Sequence, residues 1–410
     1  MYNFIIGLYA LIVHLISPFH AKAKKMVEGH KEVYSKLKTE IEPNSRYIWL
    51  HAASLGEFEQ GRPIIERIKA DYPQYKILLT FFSPSGYEIR RDYKYADVVC
   101  YLPFDRKKNV KRFLDLVNPS HVIFVKYEFW YNYINQLHKR NIPTFMVSAI
   151  FRNQQIFFKW YGKSYRKILT FYKCICVQDK NSQRLLSGIG ITNVEVCGDT
   201  RFDRVIDIKN ASKDLPLGEA FSQAADNPRQ LTLVAGSSWP KDEDIFIEYF
   251  NKNDNIKLII APHEIHESHL TYIEGLLQRP FIRYSQADIR TIHQYDCLII
   301  DSFGLLSSIY KYGKIGYIGG GFGIGIHNVL EAAVYSIPVI FGPNFKKFRE
   351  ANHLIEIGGG YSIHDFESFF VLMDELFQYP DVLTSAGNSA GNYVKENAGV
   401  VDRVMKVLNI

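Results

Sequence analysis

Long unbroken apolar runs are lacking, and the longest apolar run is short for a full bilayer span, which leaves open whether it crosses a membrane or lies on one. The longest, Phe4–Phe19 (FIIGLYALIVHLISPF), is interrupted by His14 and Pro18. Cysteine is scarce, with five among 410 residues. Cys100, Cys174, Cys176, Cys197 and Cys297 are odd in number, scattered and mostly set in apolar runs. That excludes a disulfide framework and suits buried thiols in a reducing compartment. Cys174 and Cys176 alternate on one strand, and nothing completes a zinc spacing. There is no low-complexity tract and no residue-level repeat. Charge of one sign is not in large excess: the net charge is +6. That suits phosphates or a membrane surface, and no periodic basic–aromatic pattern points to nucleic acid.

What is present is ordinary globular composition with many aromatics, 47% hydrophobic and 14% aromatic. The length allows two domains with sizeable cores. Strand-like runs alternate with helical text: IWLHA, KILLTFF, DVVCYLP, HVIFV, PTFMVSA and CICVQ. The intervening helices include one read over Phe157–Phe171. A second series holds LTLVAGSSW, KLIIAPH, CLIID, KIGYIGG and PVIFG. Such alternation predicts parallel βαβ units in two α/β domains, with a cleft where the carboxyl ends of both sheets face each other. The expected organisation is an N-terminal segment over 1–40, a first domain over 41–210 and a linker over 211–228. A second domain covers 229–390, and a C-terminal helix over 391–410 packs back on the first domain.

The N-terminal run is followed by Lys22, Lys24, Lys25, Lys31, Lys36 and Lys38. A secretory signal has the opposite order. Basic residues on that side hold the main body in the cytoplasm. A membrane-associated helix is the expectation, and a helix packed on the protein itself is the alternative.

The richest stretch is GYIGGGFGIGIHNVLEAAVYSIPVIFGP, residues 316–343. A strand runs into a glycine loop, and His327, Asn328 and Glu331 then open a helix. Glycine lets backbone approach a ligand closely, and the N–H groups of a first helical turn attract anions. Glu331 is placed to accept hydrogen bonds from a ribose diol. A tight turn between buried strands is the alternative.

Two acids end strands of the first domain: Glu57 in HAASLGE and Glu128 in KYEFW. Each suits a general base of raised pKa, or simply an acid favoured in a helix's first turn. Arg201 in GDTRFD suits a bidentate anion clamp, or an ion pair with Asp199 or Asp203. In the second domain Ala235–Ser238, including Ser237, suits backbone contact with phosphate or carboxylate. Asp242, Glu243 and Asp244 read as a solvated first turn. Pro262 and His263 precede His266 and His269. A metal would need convergence and a second shell, so base contacts or solvated histidines are the better expectation. Gly304, Leu305 and Leu306 follow strand CLII and line the same wall as the glycine loop.

With these motifs in hand, the chain resembles the 3-deoxy-D-manno-octulosonic acid (Kdo) transferases. The carriers are HAASLGE, KYEFW, GDTRFD, AGSSWPKDE, APHEIHE, DSFGLL and GIHNVLEAA, in that order along nearly the whole chain. The resemblance implies the two-domain GT-B fold, CMP-Kdo as donor and a tetraacyl lipid A precursor as acceptor. It implies an inverting displacement without metal or cofactor at the cytoplasmic face of the inner membrane. It also implies Glu57 as general base, with Glu128 and Arg201 stabilising the transition state. Pro262, His263, Gly304–Leu306 and Asn328, Val329, Leu330 and Glu331 would bind CMP. The chain departs from the family pattern at Lys126, Arg201, His263 and Val329. Another GT-B nucleotide-sugar enzyme, a sugar-nucleotide epimerase and a non-catalytic nucleotide-sugar-binding membrane protein are the alternatives.

Overall fold

The computed structural model describes residues 2–223 and 230–410. It divides into one unit of Met1–Arg204 with Ala398–Ile410, and another of Val205–Asn397.

The first unit is built on β1 (Arg46–Ala52), β2 (Tyr75–Phe81), β3 (Val98–Tyr101), β4 (His121–Val125), β5 (Thr144–Ala149), β6 (Cys174–Val177) and β7 (Val194–Val196). The seven are parallel in the order β3-β2-β1-β4-β5-β6-β7. Near-continuous apolar strands require cover on both faces. One face buries Trp49, Phe113, Phe124 and Tyr133. The other buries Phe58, Ile64, Phe81 and Phe145 with Val400, Val404 and Leu408 of the last helix.

The second unit is built on β8 (Leu231–Ser238), β9 (Ile256–Pro262), β10 (Phe281–Arg283), β11 (Cys297–Ile299), β12 (Ile315–Ile318), β13 (Val339–Phe341) and β14 (Gly360–Ser362). They too are parallel, in the order β10-β11-β9-β8-β12-β13-β14. Strand order reverses between β1 and β4 in one sheet and between β8 and β12 in the other. Ligands of open α/β sheets bind outside the carboxyl ends of strands at such a switch point.

Several expectations change. Phe157–Phe171 is not one helix. It is a chain of short turns, Ile156–Phe158, Trp160–Gly162, Lys163–Arg166 and Lys167–Phe171. Gly162 explains the break: a Cβ there would stand 1.8 Å from the Ile156 carbonyl oxygen. Arg166 locks the fold-back by donating to the carbonyls of Phe157 (2.8 Å) and Lys159 (3.2 Å). The helical text from Tyr393 is broken at Gly399, whose φ of 75° ends one helix before Val400–Leu408 begins. Asp203 caps that last helix, accepting from the N–H groups of Gly399 (2.5 Å) and Val401 (2.9 Å). Within the stretch 211–228, Pro216–Gln223 is a helix. Proline at its first position costs no hydrogen bond. Residues 224–228 of that stretch lie outside the described residues.

The N-terminal helix Tyr2–Ile16 buries Ala10 and Val13 and leaves Phe4, Leu8, Leu11 and Leu15 exposed. Among the described residues no single helix is long and apolar enough to cross a membrane. This helix and the next, Ala21–Glu40, meet at a 114° bend.

Candidate active site

At the first switch point β1 delivers His51 and the turn to Glu57, and β4 delivers Lys126, Tyr127 and Glu128. Lys126 has φ of 64°, a left-handed conformation that turns the chain sharply between strand and loop. Glu57 lies in the first turn of the helix Leu55–Asp71, and its Oε2 accepts the Ala53 N–H at 2.7 Å. The structural and chemical readings of this acid therefore coexist: one oxygen braces the turn. Burial raises its pKa above the ordinary carboxylate value, and the negative charge of Glu128 raises it further against the pull of His51 and Lys126.

Glu128 is buried. Its Oε2 stands 3.1 Å from His51 Nε2 and also accepts the Trp130 indole N–H. Its backbone carbonyl accepts the Tyr172 hydroxyl at 2.7 Å. His51 is fixed in turn through Nδ1, 2.8 Å from Thr80 Oγ1 and 3.1 Å from the Thr80 carbonyl oxygen. His51, Trp130 and Thr80 were not singled out from the sequence. The signal for His51 was its position at the end of an apolar strand.

Arg201 folds back on Asp199, donating from Nε (3.0 Å) and Nη2 (2.8 Å). Asp199 also accepts from Gln60 Nε2 at 2.9 Å. Burial alone would raise the Asp199 pKa, yet the Arg201 charge and these hydrogen bonds hold it below the ordinary value. Of the two acids expected to pair with Arg201, Asp199 does so, and Asp203 is spent on the last helix.

At the second switch point the loop after β8 meets the glycine loop after β12. Ser237 has φ of 52°. Gly319 packs so tightly there that a Cβ would stand 2.2 Å from the Ser237 carbonyl oxygen. Of the three acids expected to form a solvated turn on the following helix, Asp244 is exposed, but Asp242 and Glu243 are both fully buried. Asp242 accepts from the N–H groups of Gly320 (2.9 Å) and Trp239 (3.0 Å) and from the Tyr317 hydroxyl (2.9 Å). It ties both loops together. Glu243 bridges Ser238 Oγ (2.8 Å) and His269 Nε2 (2.8 Å).

His263 stacks on Trp239, with centroids 4.8 Å apart, and lies 4.4 Å from the ring of His327. The Trp239 indole N–H donates to His327 Nε2 at 3.3 Å, which requires a neutral ring. Burial, helped by His263, lowers the His327 pKa to about 4. A cavity of about 630 Å³ opens here, lined by Trp239, Asp242, His263, Gly320, Gly323 and His327 among others. Asn328 Nδ2 donates to Glu331 Oε1 at 3.1 Å, and Asn328 Oδ1 accepts the Leu330 N–H at 3.2 Å. Val329 and Leu330 are buried and offer backbone only. Gly304, with φ of 86°, leads into the short helix Leu306–Ile309 beyond β11. His266 is exposed and pairs with Glu264. Among the described residues no group of His, Cys, Asp or Glu is arranged to hold a metal.

Two parallel-sheet α/β units, each with its functional loops at a switch point, define the GT-B class. Solved structures agree on the fold. MurG of Acinetobacter baumannii matches with a TM-score of 0.59 at 10% identity, over 89% of this chain and 99% of that one. UDP-GlcNAc 2-epimerase of Neisseria meningitidis, solved bound to UDP-GlcNAc, matches with a TM-score of 0.61 at 14% identity, over 88% of this chain and 99% of that one. Sequence narrows the class. Residues 28–204 match the family model described as 3-deoxy-D-manno-octulosonic-acid transferase. The 3-deoxy-D-manno-octulosonic acid transferase of Aquifex aeolicus is 27% identical over 80% of this chain and 85% of its own length. That of Haemophilus influenzae is 26% identical over 89% of this chain and 87% of its own. Residues 28–204 thus carry the domain of the Kdo transferase family, and most of the chain is similar to its transferases.

Proposed function

We propose that the protein transfers Kdo from CMP-Kdo to a hydroxyl of a tetraacyl lipid A precursor, as a step of lipopolysaccharide synthesis. The observation that carries this reading is the pairing of Glu57 and Glu128 at the switch point of the unit that the family model matches. Glu57 takes the proton of the acceptor hydroxyl. That oxygen bonds to the anomeric carbon of Kdo, and the bond from that carbon to the CMP phosphate oxygen breaks with inversion. The raised pKa of Glu57 suits a base working near neutrality. Glu128, fixed by His51 and Trp130, bears on charge developing at the sugar, and Arg201 supports the same region from Asp199.

CMP is assigned to the second unit. Its base and ribose belong with the His263 platform, the Gly304–Leu306 loop and the Asn328–Glu331 pair, and its phosphate with the Ser237 and glycine-loop backbone. Backbone donors neutralise the leaving phosphate without a metal, so no cofactor is assigned. The exposed apolar face of Tyr2–Ile16 and the basic residues that follow support association with the cytoplasmic face of the inner membrane. That helix, at roughly 1.5 Å per residue, is shorter than the roughly 30 Å hydrocarbon core. It is assigned to lie in the interface.

The test is incubation with CMP-Kdo and the tetraacyl acceptor in detergent, followed by mass spectrometry of the lipid. A mass gain of one or more Kdo units supports the reading. An unmodified lipid, with CMP bound, removes this acceptor.

A further inference from the structure

A second cavity, of about 610 Å³, lies in the first unit and has no role in the chemistry above. Its walls include Tyr2, Phe129, Tyr131, Ile156, Phe157 and Ile168. Phe129, Ile156, Phe157 and Ile168 make the wall largely apolar, and two of its polar side chains are already engaged. The Tyr2 hydroxyl donates to Asp105 and accepts the Tyr131 N–H at 3.3 Å. Gln155 Oε1 accepts the Arg152 N–H at 3.1 Å. The site therefore suits a ligand without hydrogen-bonding groups.

Two relationships identify the occupant. Phe129 directly follows Glu128, and the next residue, Trp130, donates to the Glu128 carboxylate. At extended-chain spacing the cavity wall begins within roughly 10 Å of that carboxylate. The segment that supplies Ser164, Tyr165 and Ile168 to the wall is basic and aromatic: its Trp160, Tyr161, Lys163 and Lys167 are exposed. Arg166 spends its donors on carbonyls, which leaves its positive charge on the same segment. An amphiphile with a hydrocarbon chain, a nearby hydroxyl and a phosphate ester matches all three features.

We propose that this cavity is the slot for one acyl chain of the acceptor, holding the lipid so that its reacting hydroxyl reaches Glu57. The proposal rests on the transferase reading for the identity of the lipid, while the slot itself is tested separately. Tyr2 makes the N-terminal helix one wall of the slot.

The test uses the full chain and Ser164→Phe, which fills the cavity from an exposed position on its wall. Three readouts are taken at unchanged melting temperature: transfer to the tetraacyl disaccharide, transfer to the same disaccharide stripped of acyl chains, and binding of an anthroyloxy-dodecanoic acid probe by fluorescence. The expected result is a fall of about tenfold or more in the ratio of kcat/KM between acylated and stripped acceptors. Probe binding should weaken in parallel. Equal probe binding by both proteins, or equal loss on both acceptors, overturns the slot. If the wild type transfers to neither acceptor yet binds the probe more tightly than Ser164→Phe, the slot stands and the transferase reading falls.

Discussion

His51 Nε2 stands 3.1 Å from Glu128 Oε2, and the other nitrogen of the same ring stands 3.1 Å from the Thr80 carbonyl oxygen. A carboxylate only accepts, so the Nε2–H donates to Glu128, while Nδ1 lies 2.8 Å from Thr80 Oγ1, a hydroxyl that can donate to it because its oxygen accepts the Trp49 indole N–H. The ring is wedged between strands and cannot swing. Glu128 is thereby held in one place and one orientation.

Replacing His51 by Leu should release Glu128 while leaving the strand buried. Turnover should fall about 100-fold, the scale of a misplacement near 1 Å. CMP affinity, which the proposal assigns to the other unit, should be unchanged. Steady-state transfer assays with isothermal titration of CMP check this. Loss of CMP binding would show instead that the substitution damages the fold.

The pH profile should carry the signature of Glu57. Its pKa is raised chiefly by burial and then by Glu128. The acid limb of kcat/KM should therefore lie above the ordinary glutamate range, with activity rising as Glu57 ionises. Glu128→Gln removes the neighbouring charge, so the limb should move to lower pH even as the rate falls. An unmoved limb would assign it to another group.

Asp199→Asn should destabilise the first unit. The substitution leaves the Arg201 guanidinium beside a neutral amide and disturbs Gln60. Breaking a buried pair of this kind costs about 3 kcal/mol. Asp199 holds its proton less tightly in the folded state than in the unfolded one. Its contribution is therefore present at neutral pH and lost as pH falls through the acid range. Denaturant titration at pH 7 and pH 3 should show a large wild-type-to-mutant gap that narrows in acid.

His327 acts in the opposite proton sense. Its folded pKa of about 4 lies below the ordinary 6.5, so the unfolded chain binds the proton more tightly. Stability of the second unit should decline as pH falls from about 6.5 to about 4. His327→Gln should flatten that part of the curve in thermal melts.

Much of this was legible because it follows from periodicity and strand ends. Glu57 and Glu128 fall at corresponding ends of β1 and β4, which are paired neighbours. A parallel sheet brings such ends together however far apart they lie in sequence. The glycine loop was legible because close backbone packing demands glycine at Gly319. What escaped were features decided by tertiary contact. Acids in a helix's first turn are normally solvated, and only the loop at Gly320 and the side chain of His269 make Asp242 and Glu243 buried struts. The edge strands β10 and β14 are each three residues long, too short to show a period. The aromatic-rich stretch Phe157–Phe171 looked helical because its break depends on one carbonyl pressed against Gly162.

The most direct measurement compares Glu57→Gln with the wild type, following Kdo transfer from CMP-Kdo to the tetraacyl acceptor and CMP affinity on the same preparations. If Glu57 is the base, turnover falls about 1,000-fold or more while the Kd for CMP stays within about twofold. Turnover equal to the wild type would contradict that assignment and the account built on it.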